Sequence, residues 1–175
     1  MTHATGRRRL TLVRHGHAAT TGAAHRDFDR ALDRRGVAEV SEMARRCVDL
    51  GPVPDLLLAS TALRTVQTAA TFQRMLEGAP RRLRLEPSLY LAEAATLLDC
   101  IRETDDGVAH LMVIAHNPGL GDLAEQLAPA ARFSGFETGA TCSMQFATAD
   151  WDLVRPGLAE DVRYDAPGRF FDLWS

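Results

Sequence analysis

Residues 111–119 read Leu-Met-Val-Ile-Ala-His-Asn-Pro-Gly. Five apolar residues in a row, too few for a helix and closed by a turn signal, predict a strand buried on both faces. Asn117 is a good N-cap and Pro118 fits a first helical position, so a helix is predicted over about Pro118 to Leu127. An apolar strand running into a helix is half of a βαβ unit, and such units build parallel sheets.

Working outward, the same alternation recurs. Arg9 to Val13 predicts a first strand, followed by a polar loop containing Gly16, Gly22, Asp27 and Asp29. From Asp33, an N-cap residue, Val37, Val40, Met43, Ala44, Cys47 and Leu50 recur at helical spacing until Gly51 and Pro52. Asp55 to Ala59 predicts a second strand. Ser60 or Thr61 then caps a helix with Leu63, Val66, Ala70 and Leu76 on one face, stopped by Gly78 and Pro80. A weaker strand at Leu83 to Leu85 and a helix over about Glu93 to Glu103, with Leu97, Leu98 and Ile101 inward, precede the strand at Leu111. Thr141 to Ala147, Trp151 to Val154 and Arg169 to Trp174 read as antiparallel strands bringing Trp151, Phe170, Phe171 and Trp174 to the sheet. The expected fold is a single-domain, three-layer α/β/α arrangement. Its central sheet is mostly parallel, with antiparallel edge strands near the carboxyl terminus. Residues 1–8 are expected to form a flexible basic tail and residues 9–175 the domain.

Composition agrees with one soluble core: 175 residues, 46% hydrophobic and 25% charged, exclude a disordered chain and a membrane protein. A net charge of -3 gives no chain-wide reason to bind nucleic acid or an anionic membrane, so an anion site must be local. All 20 basic residues are arginine, which genome composition explains as readily as bidentate anion binding. Cys47, Cys100 and Cys142 are odd in number and unpaired in spacing, as expected of reduced core residues. Arg7 to Arg9 precede only a short apolar run before Arg14, which does not make a secretory signal; a cytoplasmic location is expected.

In parallel α/β sheets, ligands bind at the carboxyl ends of strands, beside helix N-termini. Those loops deliver Arg14, His15, Gly16 and His17 after the first strand, Arg64 in the first turn of the second helix, and His116 after the most apolar strand. A cation in a first helical turn opposes the helix dipole unless an anion sits there, so Arg64 hints at a phosphate site. Two guanidinium forks, two imidazoles and backbone amides would surround a tetrahedral anion with donors. Taken singly, each residue has a plainer reading: Arg14-His15-Gly16 is a weak motif, His116 fits a hydrogen-bonded loop histidine, and Arg64 fits a solvated helix residue. Their joint placement favours function. His15, His17 and His116 also raise the question of zinc. No carboxylate or cysteine lies at ligand spacing, however, and two nearby arginines repel a dication, so neither metal nor cofactor is expected.

Leu12-Val13-Arg14-His15-Gly16, then Ser60-Thr61-Ala62-Leu63-Arg64 with Gln67-Thr68-Ala69, then Val113-Ile114-Ala115-His116-Asn117-Pro118-Gly119, resemble the histidine phosphatase superfamily, the phosphoglycerate mutase-like fold. Within it the SixA type of phosphohistidine phosphatase is similar in its compact size and in three further stretches. These are Asp29-Arg30-Ala31-Leu32 before Gly36, Leu89-Tyr90-Leu91-Ala92 before a helix ending in Ile101-Arg102, and Thr138-Gly139-Ala140 leading to Trp151. The resemblance implies that His15 is the nucleophile, forming a phosphohistidine intermediate that water hydrolyses. It implies that Arg14 and Arg64 clamp the equatorial oxygens, that His116 is a further donor, and that Gly16, Arg30 and Asn117 line the phosphate. Ala31 stands where the family has Pro, and His17 is expected at the pocket edge.

Other branches use a carboxylic acid after the third strand to protonate an alkoxide leaving group. Here that segment is Pro87-Ser88-Leu89-Tyr90-Leu91, with no carboxylate until Glu93, a possible acid that also fits a dipole-complementing surface residue. A phosphoramidate protonated on its ring nitrogen needs no such acid. The expected substrate is therefore phosphohistidine on a phosphotransfer protein, or an activated ester. The alternatives are a small-molecule phosphomonoesterase for sugar or nucleotide phosphates and a phosphate-binding module without turnover. Short segments between motifs imply a shallow, open pocket and a monomer.

Overall fold

A computed structural model describes residues 6–20, 26–76, 82–131, 133 and 135–168. Its strands are β1 (Arg8–Arg14), β2 (Leu56–Ser60), β3 (Arg82–Glu86), β4 (His110–Ala115), β5 (Thr141–Phe146) and β6 (Glu160–Asp165). Its α-helices are α1 (Arg34–Leu50), α2 (Leu63–Met75), α3 (Ala94–Arg102) and α4 (Gly119–Leu127). The strands form one sheet in the order β3-β2-β4-β1-β5-β6. β1 to β4 run parallel, β5 is antiparallel to β1, and β6 is antiparallel to β5.

Strand periodicity of two divides the apolar residues between two cores. Leu10, Leu12, Leu56, Leu58, Leu111 and Val113 pack with Leu97, Ile101, Leu120 and Leu123 of α3 and α4. Val13, Leu57, Ala59, Met112 and Ile114 pack on the other face with Val40, Met43 and Phe72 of α1 and α2. Each fully buried aliphatic or aromatic side chain of this kind contributes roughly 1.5–3 kcal/mol. The chain leaves β1 for α1 on one face and β4 for α4 on the other, while β1 and β4 are neighbours in register, Arg14 opposite Ala115. The crevice where a doubly wound sheet binds ligands therefore opens between His15 and His116.

Several boundaries differ from expectation. β1 starts at Arg8, one residue before the domain limit drawn from sequence, and Arg8 donates to the Val108 and Asp106 carbonyls at 3.1 and 2.9 Å. The segment at Trp151 is a 3-10 turn, Trp151–Leu153, rather than a strand. Trp151 is fully buried, with Nε1 donating to the Val108 carbonyl at 2.7 Å, so it fills the core as expected without joining the sheet. β5 is an interior strand; the antiparallel edge is β6, whose charged and mostly exposed sequence carries no apolar pattern. The expected strand at Arg169 to Trp174, with Phe170, Phe171 and Trp174, lies outside the described residues, as do Gly22, Gly78, Pro80 and the first five residues of the tail. The three cysteines are free, Cys100 and Cys142 buried and Cys47 partly so.

Caps also depart from the sequence reading. Asp33 caps α1 as expected, accepting from the Gly36 amide at 2.8 Å. α2, by contrast, has Ala62 at its N-cap and no side-chain cap, because the Ser60 hydroxyl is bonded to His116 Nε2 at 2.8 Å. At α4 the N-cap is Pro118, and Asn117 donates instead to the Phe136 carbonyl at 2.9 Å.

Gly36 is a close-approach position: a Cβ there would lie 2.0 Å from the His17 carbonyl oxygen. Gly16 faces it, since a Cβ on Gly16 would sit 2.7 Å from the Gly36 carbonyl oxygen. Helix propensity alone favours alanine at a helical glycine by about 1 kcal/mol. Backbone contact reverses the sign, and Gly36→Ala is expected to destabilise by about 3 kcal/mol. Urea unfolding checks this, and an unchanged or raised midpoint would refute the contact.

His110 on β4 supplies a pH-dependent element. Nδ1 faces the Pro52 carbonyl at 3.0 Å and Nε2 the Thr11 hydroxyl at 2.9 Å, the partners of a neutral Nδ1–H imidazole. Burial, aided by the charge of Arg9, pushes its pKa from 6.5 down to about 4. Because the folded value is the lower one, this contribution is present above pH 6.5 and is lost as pH falls toward 4. At pH 5 the loss is about 2 kcal/mol. Between pH 7 and pH 5 the wild type should lose about that much more stability than His110→Gln in urea titrations; equal losses would show that His110 does not carry the effect.

Candidate active site

The first loop is shaped by its contact with α1. The Gly16 amide donates to Thr68 Oγ1 on α2 at 3.3 Å, and the His17 amide donates to Glu39 at 2.9 Å. His15 is thereby held at the end of β1, with Nδ1 2.8 Å from the Gly16 carbonyl. A carbonyl only accepts, so Nδ1 carries the hydrogen and Nε2 presents a lone pair. Arg64 Nε donates toward that nitrogen at 3.2 Å.

Arg64 is 2% exposed. The edge formed by Nε and Nη2 faces two histidines, with Nη2 3.3 Å from His116 Nδ1. Nη1 donates to the Asp27 backbone carbonyl at 2.6 Å and Nη2 to Asp27 Oδ2 at 2.9 Å. The His15 and His116 rings lie 5.1 Å apart, and Tyr90 stands edge-on to His116 at 5.5 Å. Arg14 donates to the Phe136 carbonyl at 2.7 Å, and its Nε is buried with no hydrogen-bond partner among the described residues.

Charge dominates this arrangement. Burial pulls the His15 pKa down to about 4, and the charges of Arg64, Arg14 and Arg30 add to it against the Gly16 hydrogen bond. His116 falls to about 3 through burial, with His15 and Arg64 adding. Both imidazoles are neutral at pH 7, so the His15 Nε2 lone pair, which accepts from Arg64 Nε, is unprotonated there. Asp27 is the opposite case: burial disfavours its charge, but hydrogen bonds from Arg30, Tyr90 and Arg64 outweigh that and hold it well below the usual carboxylate range. Burial and Asp27 push the Tyr90 phenol up.

The sequence-read residues divide into two groups. His15, Arg64 and His116 form one hydrogen-bonded unit, and Arg14 lies close enough to shift both histidines. Arg30 reaches the unit through Asp27 at 2.9 Å, its Nε donating to the Ala19 carbonyl at 2.7 Å. Gly16 and Asn117 shape the loops. His17 bonds Asp33 at 2.6 Å, tying the loop to the cap of α1. Glu93 is the exposed N-cap residue of α3.

Asp27 and Tyr90 are the members that sequence reading missed, Asp27 having passed as a loop residue and Tyr90 as part of a family-like stretch. The available signal was an acidic residue three positions before Arg30, in a loop otherwise read for its cations.

A profile of the histidine phosphatase superfamily (branch 1) matches residues 10–90. The crystal structure from Agrobacterium tumefaciens that bears the name phosphohistidine phosphatase SixA is 30% identical, covers 92% of this chain and 99% of its own, and superposes with a TM-score of 0.77. The chain belongs to the histidine phosphatase superfamily, in its SixA type. Its enzyme class is therefore that of a phosphatase. The fold of this superfamily is seen again in a protein histidine phosphatase SixA complexed with tungstate, at 24% identity, 90% and 94% coverage and a TM-score of 0.70. An uncharacterized chloroplastic protein of Arabidopsis thaliana is 31% identical over 132 residues, 71% of this chain; the match spans 61% of that relative's length. Among the described residues, no helix is long and apolar enough to cross a membrane.

Proposed function

We propose that the chain is a metal-independent, cytoplasmic phosphatase acting on a P–N bond, with phosphohistidine on a phosphotransfer protein as its substrate. His15 Nε2 attacks phosphorus. The bond from phosphorus to the substrate's imidazole breaks, and the departing nitrogen keeps the electron pair, leaving as neutral imidazole because the other ring nitrogen already carries a proton. Water then hydrolyses phospho-His15, releasing inorganic phosphate and restoring the imidazole. Arg64 and Arg14 balance charge on the transferring oxygens, and the unpartnered Nε–H of Arg14 is a donor that a phosphoryl oxygen would satisfy.

One observation carries the P–N reading. The acidic groups bonded to the His15–Arg64–His116 unit, among the described residues, are an ionised Asp27 and a weakly acidic Tyr90 phenol. Neither gives up a proton readily near pH 7, and both histidines are neutral, so an alkoxide would depart without help. Protonated phosphohistidine needs none. Exposed Leu63 and Leu91, flanking Arg64 and Tyr90 in sequence, suit contact with another protein.

The test is phosphate release, in chelator, from a phosphohistidine-bearing phosphotransfer protein and from a sugar phosphate, with His15→Ala as blank. The expected preference for the protein is at least about 100-fold in kcat/KM, the scale of about 2.7 kcal/mol in the transition state. Preference for the sugar phosphate would overturn the reading and make Glu93→Gln the next variant. A shared tungstate or vanadate affinity without turnover of either would favour a binding module.

A further inference from the structure

We infer that Asp27 is a positioning residue for Arg64: it grips one end of the guanidinium so that the Nε–Nη2 edge is aimed at His15 and His116. The inference rests on the reading of His15 as phosphoryl acceptor and extends it to a residue whose role neither the motifs nor the family resemblance assigns.

An arginine side chain has many rotamers, and burial alone does not choose among them. Arg64 uses its two functional edges on different partners. Nη1 and Nη2 bind the backbone carbonyl and Oδ2 of one residue, Asp27, while Nε and Nη2 face the two imidazoles. A two-point grip on one residue fixes both the position and the plane of the guanidinium. The carboxylate is itself held from three sides. Arg30 donates to Oδ1 at 2.9 Å, Tyr90 and Arg64 donate to Oδ2 at 2.8 and 2.9 Å, and Arg30 is anchored to the Ala18 and Ala19 carbonyls at 3.4 and 2.7 Å. Asp27 thus joins the loop after β1, the first turn of α2 and the segment after β3.

Charge points the same way. Arg14, Arg30 and Arg64 all act on His15, and without a counter-ion these three cations would push one another outward. Asp27 bridges two of them. Removing it leaves Arg64, 3% exposed at its side chain, a nearly buried cation without a carboxylate partner. The guanidinium would then turn toward solvent or onto the histidine lone pairs, and either movement misplaces the donor that meets the phosphoryl oxygens.

A double-mutant cycle on the full chain tests this, with Asp27→Ala and Arg64→Ala singly and together. Two readouts are used: kcat/KM on the phosphohistidine protein and affinity for vanadate, which reads the anion site independently of the leaving group. Asp27→Ala is expected to lower both by about 10- to 100-fold, the scale of a misaligned catalytic group. In the Arg64→Ala background it should change either by less than about twofold, since its action passes through Arg64. Tyr90→Phe, which removes one bond to Asp27 and no charge, serves if Asp27→Ala does not fold; its smaller loss should vanish in the same background. An equal loss with and without Arg64, or no loss at all, would overturn the inference. If the wild type hydrolyses only the sugar phosphate, the P–N reading fails, while the vanadate cycle still decides the role of Asp27.

Discussion

His15→Ala is expected to lower phosphate release by about 10⁴-fold or more and to remove all trapping of phosphate on the protein, the scale seen when a nucleophile is deleted. The geometry singles out Nε2 of this residue. Nδ1 is committed to the Gly16 carbonyl at 2.8 Å, and burial with three surrounding arginines holds the ring neutral down to about pH 4. His116 is engaged in the same way, Nε2 with Ser60 at 2.8 Å and Nδ1 with Arg64 at 3.3 Å, so His116→Ala is the control and should keep the trapped phosphate that His15→Ala loses. The check is a rapid quench with labelled substrate, followed by gel detection of acid-labile phosphoprotein. A labelled band in His15→Ala would move the nucleophile elsewhere. The protonation state gives a second readout. His15 followed by NMR should titrate near pH 4, so the base form needed for attack is already full at pH 6, where an ordinary histidine is mostly protonated.

Arg64→Ala should cost about 2–4 kcal/mol of transition-state stabilisation, or about 30- to 10³-fold in kcat/KM, with most of the loss in kcat. Arg64 touches both histidines and is nearly buried, so its charge acts where water screens it little. Arg64→Lys should recover only part of the loss, because an ammonium meets the histidines or Asp27 but lacks the planar fork to meet both. Steady-state kinetics on both variants decide this, and a lysine variant at wild-type rates would reduce the role of Arg64 to charge alone.

The parallel architecture was legible because its signals are local. Leu111 to Ala115 is apolar without a break, and α1 has a capping Asp33 and a helical apolar stripe, so period and end signals agree. Where two local roles competed, the reading went astray: Ser60 looks like a cap and is bonded to His116, and Asn117 looks like a cap and binds Phe136. β6 went unseen because Glu160 to Asp165 is charged and lies at an exposed edge, where burial imposes no apolar alternation.

The sequence by itself determined the alternation of strands and helices and the loops that carry Arg14, His15, Arg64 and His116. Each of those follows from spacing within one short stretch. The tertiary structure alone decided who meets whom. β4 inserts between β2 and β1, setting His116 beside His15, and Asp27 meets Arg64 across 37 residues and Tyr90 across 63. Such pairings depend on strand order and register, which the period of a single element does not encode, and on a balance of buried charges that exists only once three arginines and one carboxylate share the same small volume.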